Sequence, residues 1–135
     1  MEPEEITLEA ARITPEVSPL GGEVQIDLSW RNPRDIIGAS WKIFYIVDTV
    51  RRRQTIDMLM IPNCNYLAGN NTLSVTLPGI NVEALNLSKS QVMTTGLLVF
   101  ALRQGEEEAL AINMVVQVTI RGEELQKTIF SPVEE

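Results

Sequence analysis

Cysteine, glutamate and arginine are the residues of this sequence whose placement could support chemistry. Cys64 is a potential nucleophile, but the chain contains no histidine, which is the usual base for activating a thiol or a serine. The sequence also has no second cysteine, so it lacks the ligand sets typical of zinc sites. We therefore interpret Cys64 as a tolerated structural thiol, and we expect neither an enzyme nor a bound cofactor or metal.

A run of glutamates follows a glycine between two long apolar stretches. Glu106, Glu107 and Glu108 come directly after Gly105, in a position typical of a hairpin tip. Hard-cation sites usually space their oxygen ligands along a loop, whereas adjacent side chains on a turn point away from one another into water. We interpret the run as a solvated tip, and a calcium or acid/base site is the alternative.

Arg51, Arg52 and Arg53 form the one marked basic cluster, between two predicted strands. Three guanidiniums could bind a phosphate or an acidic segment of a partner. The alternative is an exposed strand end, where charge discourages pairing between sheet edges. Nucleic-acid binding is not expected, because the net charge is −7 and phosphate would on average be repelled.

Alternation of apolar and polar residues dominates the elements that must carry these side chains. Residues 23–30 alternate completely, with Val24, Ile26, Leu28 and Trp30 on one face. Residues 72–77 and 110–120 follow the same period of two, which predicts half-buried strands. Residues 41–50 and 96–102 are more continuously apolar, and we expect central strands that are covered on much of both faces.

Turn signals separate these runs at short intervals, at Pro19–Gly22, Asn32–Pro33, Pro62–Asn63, Ala68–Asn71, Pro78–Gly79 and Gln104–Gly105. About seven short strands at this spacing predict an all-β fold, namely an immunoglobulin-like antiparallel β-sandwich. Residues 81–90 allow one helical turn, and the stretch after Ile120 could form a final edge strand.

Size and composition suit a single domain over residues 1–135, with short, loose acidic termini. The N-terminus lacks the basic start and apolar run of a signal peptide, and no stretch is long and apolar enough to span a membrane. A chain with one cysteine cannot form an internal disulfide. We expect an intracellular protein, in the cytoplasm or nucleus, without membrane insertion.

The segment Trp-Lys-Ile-Phe-Tyr-Ile at 41–46 resembles the Trp-Lys-Ile-aliphatic-Tyr strand of the anti-silencing-function histone chaperones. The order of elements over roughly residues 6–120 is also similar to that family. It includes two opening strands at 6–13 and 22–29, a strand with Asp57, and a glycine-acidic hairpin at Gly105. The resemblance implies an elongated immunoglobulin-like sandwich that captures a core-histone dimer on one concave sheet face, without ATP or cofactor.

If the hairpin at Gly105 sets the register, the resemblance places six residues on that face, namely Thr94, Gly96 and Leu98 on one strand and Ala111, Asn113 and Val115 on the next. The family has a valine, an arginine and a tyrosine where this chain has Gly96, Ala111 and Val115. Acidic residues of the family near the tyrosine hairpin are replaced here by the arginines at 51–53.

The sequence thus predicts a non-catalytic protein-binding module whose histone-contact residues are largely replaced. We expect its partner to be another protein, and a histone dimer is one candidate. One alternative is a histone chaperone with different contacts. A second is a lipid or prenyl carrier, which would need a gap between the sheets lined by Leu97, Val99, Met114 and Val116.

Overall fold

The computed structural model describes residues 6–48, 53–81 and 95–133. Within these stretches the chain forms strands and no helix. The strands are β1 (Thr7–Thr14), β2 (Val17–Pro19), β3 (Val24–Asn32), β4 (Ile36–Asp48), β5 (Arg53–Tyr66), β6 (Gly69–Leu77), β7 (Thr95–Gln104), β8 (Glu107–Arg121) and β9 (Glu124–Ile129). Several are longer than the short strands that we predicted: β8 has 15 residues and β5 has 14. The helical turn predicted at 81–90 falls, except for Asn81, outside the described residues.

The strands form two antiparallel sheets that pack together. The smaller sheet has the order β1-β3-β6, and the larger has the order β2-β9-β8-β7-β4-β5. A cluster of buried apolar side chains from both sheets fills the space between them. The predicted all-β sandwich is therefore confirmed, while its immunoglobulin-like character stays a prediction.

The alternating sequence patterns coincide with the positions that face the core. Val24, Ile26, Leu28 and Trp30 of β3 are at most 3% exposed. In β8 the even-numbered residues from 112 to 118 are also buried. The pattern fails at its end, because Ile120 lies beside the β8–β9 turn and is 43% exposed.

The prediction of two central strands covered on much of both faces is confirmed in full for β7 and in part for β4, whose outer face includes the half-buried Phe44 and Ile46. In β7, Val99 and Ala101 are buried although they lie on the face opposite to Leu98 and Phe100. Strand β4 is central in the sheet, but its outer face includes the exposed Lys42. The predicted final edge strand is also corrected: β9 lies inside the sheet, because β2 pairs with its other side.

An aromatic cluster joins the two sheets near one end. Trp30 of β3 packs edge-to-face on Trp41 of β4, with ring centroids 5.5 Å apart, and on Tyr66 of β5, at 4.8 Å. The Trp41 indole Nε1 donates a hydrogen bond of 2.8 Å to the Tyr66 hydroxyl. Beside this cluster, the fully buried Asn32 donates from Nδ2 to the Arg34 carbonyl at 2.7 Å and accepts at Oδ1 from Asn71, also at 2.7 Å. These bonds supply partners for buried polar groups where the chain passes between sheets.

Lys127 of β9 is buried at the opposite side of the sandwich, with 1% of its surface exposed. Its ammonium donates to the carbonyls of Pro19, Leu20 and Gly22 at 2.7–2.9 Å. We call residues 19–22 the β2–β3 corner. Burial lowers the pKa of Lys127 from 10.5 to about 8. The three carbonyls partly replace the water that this cation loses.

Candidate protein-binding face

The outer face of the larger sheet is built from rows of residues that lie opposite one another on neighbouring strands. Directly opposed residues of antiparallel strands share a face. Leu97 of β7 lies opposite both Ile46 of β4 and Val115 of β8. The amide of Phe130, just after β9, donates to the Val115 carbonyl at 2.9 Å, which extends this row to the next strand. An apolar row therefore crosses β9, β8, β7 and β4.

Two further rows lie beside this one. Val99 lies opposite Phe44 and Asn113, and Ala101 lies opposite Ala111. We call the uncharged residues of the three rows the outer patch, which consists of Phe44, Ile46, Leu97, Val99, Ala101, Ala111, Asn113, Val115 and Phe130.

Exposure varies across the outer patch. Val115 is 43% exposed and Phe130 is 47% exposed, whereas Val99 and Ala101 in the middle strand are buried. Charged side chains begin at its β4–β5 side, where Lys42 lies opposite Ala101 and Asp57 lies opposite Phe44. The Lys42 ammonium is 5.7 Å from the centroid of the Phe44 ring, within the range of a cation–π contact. The patch is thus an apolar surface with charge at its border.

The register of the β7–β8 hairpin differs from the predicted one because of a β-bulge. Next to the turn, Arg103 pairs with Glu108, but the following pair is Leu102 with Leu110. Ala109 is therefore an extra residue on β8. An inserted residue exchanges the faces of all later residues relative to the partner strand.

This shift corrects two of the predicted site residues. Gly96 lies opposite Val116, and Leu98 lies opposite Met114, so both face the core rather than the outer surface. Leu98 is 2% exposed, and Gly96 is buried. The prediction that they would be exposed beside Val115 is wrong, because the uninterrupted count from Gly105 omits the bulge. Thr94 lies outside the described residues.

The other predicted residues of this face are where the sequence placed them. Ala111, Asn113 and Val115 are exposed on the outer side of β8. Gly96 has a packing role instead, because a Cβ at this position would overlap the hydroxyl of Tyr45. Tyr45 itself is buried, and desolvation raises its pKa to about 12.

The arginine and glutamate clusters do not form one site together with the outer patch. Arg53 is the exposed first residue of β5, paired with Asp48 in the strand ladder, while Arg51 and Arg52 lie outside the described residues. Residues 106–108 are exposed, at the tip of the β7–β8 hairpin and the start of β8. Among the described residues, no group of three or more cysteine, aspartate and glutamate side chains is arranged to hold a metal ion. Cys64 is partly buried, with its Sγ 3.4 Å from the Ile61 carbonyl.

The residues suggested for a lipid-binding gap do not line a common space. Met114 and Val116 are fully buried in the core between the sheets. Leu97 and Val99 lie on the opposite face of the larger sheet, in the outer patch. The bulge at Ala109 again separates positions that the sequence placed together.

Sequence reasoning missed the β4 and β7 members of the outer patch and Phe130. Phe44 and Ile46 alternate with the core residues Ile43, Tyr45 and Val47, so the period of two could have identified them. Leu97 and Val99 could not be assigned to a face in this way, because β7 is apolar at every position from 97 to 102.

Comparison with models of known protein families gives no match for this chain, and comparison with curated protein sequences gives none either. None of the described residues forms a helix that is long and apolar enough to cross a membrane.

Proposed function

We propose that this protein is a non-catalytic binding module that captures a basic protein partner on the outer patch. The observation that supports the proposal is the apolar row of Phe130, Val115, Leu97 and Ile46, which crosses four neighbouring strands on an outward face. The centres of protein interfaces are depleted of charge and enriched in aromatic and apolar side chains. The outer patch has this composition.

The charge of the chain favours a basic partner. The sequence contains 18 acidic and 11 basic residues, for a net charge of −7. A field of this sign accelerates the approach of a cationic protein and opposes that of an acidic one or of a second copy. The outer patch would then supply the apolar contacts of the complex. The negative charge of the chain would favour basic partners over acidic ones.

The resemblance to the histone chaperones names one basic partner of suitable chemistry, a core-histone dimer. In that family the dimer lies on a concave sheet face. In the register described above, Leu97 rather than Gly96 lies beside Val115, so the face offers an aliphatic side chain where a bare glycine was expected. This supports a retained binding mode with substituted contacts.

Calorimetric titration with a core-histone dimer, at low and at physiological salt, tests the proposal. Val115→Glu places a carboxylate at the centre of the apolar row, and losing an anchor of this kind costs about 2 kcal/mol, or about a 30-fold weaker affinity. Thr76→Glu is the control, because Thr76 is exposed on β6, in the smaller sheet, on the opposite side of the sandwich from the patch. We expect this control to bind like the native protein.

Two results would overturn the proposal. One is absence of binding by the native protein at both salt concentrations. The other is an equal loss of affinity in Val115→Glu and Thr76→Glu, because the added negative charge and not the position would then explain the effect.

A further inference from the structure

A groove of about 540 Å³ lies at the hairpin end of the sandwich. Its walls are the β3–β4 turn, from Asn32 to Ile36, and the β7–β8 hairpin, from Gln104 to Ala111, with Ile6 between them. Volumes of this size accommodate small ligands or single side chains.

The base of the groove is apolar. Ile36 is 5% exposed, and Leu110 and Ile6 are partly buried. Asn32 also lines it, but its amide nitrogen donates to backbone carbonyls and its oxygen accepts from Asn71. A side chain entering the groove would therefore meet aliphatic groups below and charges only at the rim.

The rim carries an excess of negative charge. Asp35, Glu107 and Glu108 line the groove and are exposed, against a single basic lining residue, Arg34. One Asp35 oxygen accepts from the Ala68 amide at 2.7 Å, and Arg34 already has an interaction within the protein. The two glutamates at the start of β8 are thus the groups best placed to meet a cation.

The groove is continuous with the outer patch. Ala111 belongs to both, and Val115 lies four residues further along the same strand, about 14 Å away at the rise of an extended chain. A partner seated on the patch would reach the groove with a residue at that distance from its apolar anchor.

We infer that the groove receives a lysine or arginine side chain of the partner, with the aliphatic stem on Ile36 and Leu110 and the charged head at the acidic rim beside Glu108. The inference rests on the proposed function and specifies its partner: a basic residue must lie about 14 Å from the apolar contact. Long cationic side chains commonly cover apolar surface with the stem and keep the head at a polar rim.

Titration of ¹⁵N-labelled protein with n-butylguanidinium, followed by NMR, tests the groove without the partner. We expect saturable shifts of the amides of Ile36, Ala109 and Leu110 at millimolar concentrations. Glu108→Gln should weaken this binding about threefold, as expected for one exposed charge pair. Glu124→Gln removes an equal charge at the far end of the sheet and should bind like the native protein.

Absence of site-specific shifts, or equal weakening in the two variants, would overturn the inference and leave the result for Val115→Glu untouched. The link to the partner is tested in the same variants with the core-histone dimer. Weaker binding in Glu108→Gln alone would support it. If n-butylguanidinium binds in the groove but Glu108→Gln leaves the histone affinity unchanged, the groove is not part of the partner site and the inference fails.

Discussion

Replacing Lys127 by methionine keeps the length of the side chain and removes the ammonium that holds the β2–β3 corner. In the native protein this group donates to the carbonyls of Pro19, Leu20 and Gly22, and 1% of the residue is exposed. The carbonyls stay in place in the variant, but methionine offers them no donor. The substitution therefore removes the three bonds and the buried charge together, and its effect on stability is the difference between the two.

The two contributions have opposite signs and different sizes. The Pro19 and Leu20 carbonyls each keep a backbone donor in the variant, from Gly22 and Ile80, so what is lost is mainly the bonds of the charged donor itself. A hydrogen bond of this kind contributes about 1.5–3 kcal/mol, and at the lower figure the three bonds contribute about 5 kcal/mol. Lowering the pKa of Lys127 from 10.5 to about 8 corresponds to about 3 kcal/mol of desolvation, which methionine avoids. We expect Lys127→Met to lower the free energy of unfolding by about 2 kcal/mol at neutral pH, and Tm by about 7 °C.

The pH dependence gives a second check. Between about pH 8 and 10.5 the unfolded chain retains the proton of Lys127 while the folded protein loses it. Folding then releases a proton, so this group adds stability as the pH rises through that interval. The variant has no such group, and the stability difference between native protein and variant should widen from pH 8 to pH 10.

Urea unfolding followed by tryptophan fluorescence, at several pH values, measures both effects. Lys42→Met is the control, because Lys42 is exposed and its replacement should change stability by less than about 0.5 kcal/mol. A Lys127→Met protein as stable as the native one would refute the role of the three bonds. A difference that narrows above pH 8 would refute the desolvation argument.

Three further perturbations test other parts of the structure. Gly96→Ala should lower stability by about 1–3 kcal/mol in denaturant unfolding, because the new Cβ overlaps the Tyr45 hydroxyl; an unchanged midpoint would contradict this packing. Asn32→Ala should lower the free energy of unfolding by about 2 kcal/mol or more, whereas Asn70→Ala, at an exposed position, should change it little. Equal shifts of Tm in the two variants would show that the buried amide network adds nothing to stability. Burial raises the pKa of both tyrosines, that of Tyr45 to about 12. Above pH 10 the unfolded chain loses these protons while the folded protein keeps them, so the free energy of unfolding should fall. Tyrosinate absorbance in the folded protein at pH 10 would disprove the burial of Tyr45 and Tyr66.

The sequence contained enough information for the sandwich and for part of its core. In β3 every second residue is apolar and buried, because the period of a strand forces such a pattern when one face is covered. The outward position of Ala111, Asn113 and Val115 followed from the same rule. Lys127 shares the face of Leu125 and Ile129, so its inward position could also have been read from the alternation.

The remainder depends on contacts that no local pattern encodes. The bulge at Ala109 leaves no mark in an apolar stretch, and it decides which residues of β7 reach the surface. Likewise, Asn32 accepts a hydrogen bond from Asn71, 39 residues further along the chain, which only the pairing of β3 with β6 brings near.

The single extra residue on β8 also affects how this chain should be aligned with distant relatives. An alignment that runs through the β7–β8 hairpin without a gap equates surface positions of one protein with interior positions of the other. Gly96 shows the effect within this chain, because a count without the bulge places it on the surface whereas it faces the core. For a relative whose β8 has no bulge, a one-residue gap at Ala109 would bring the outward positions of the two strands back into correspondence.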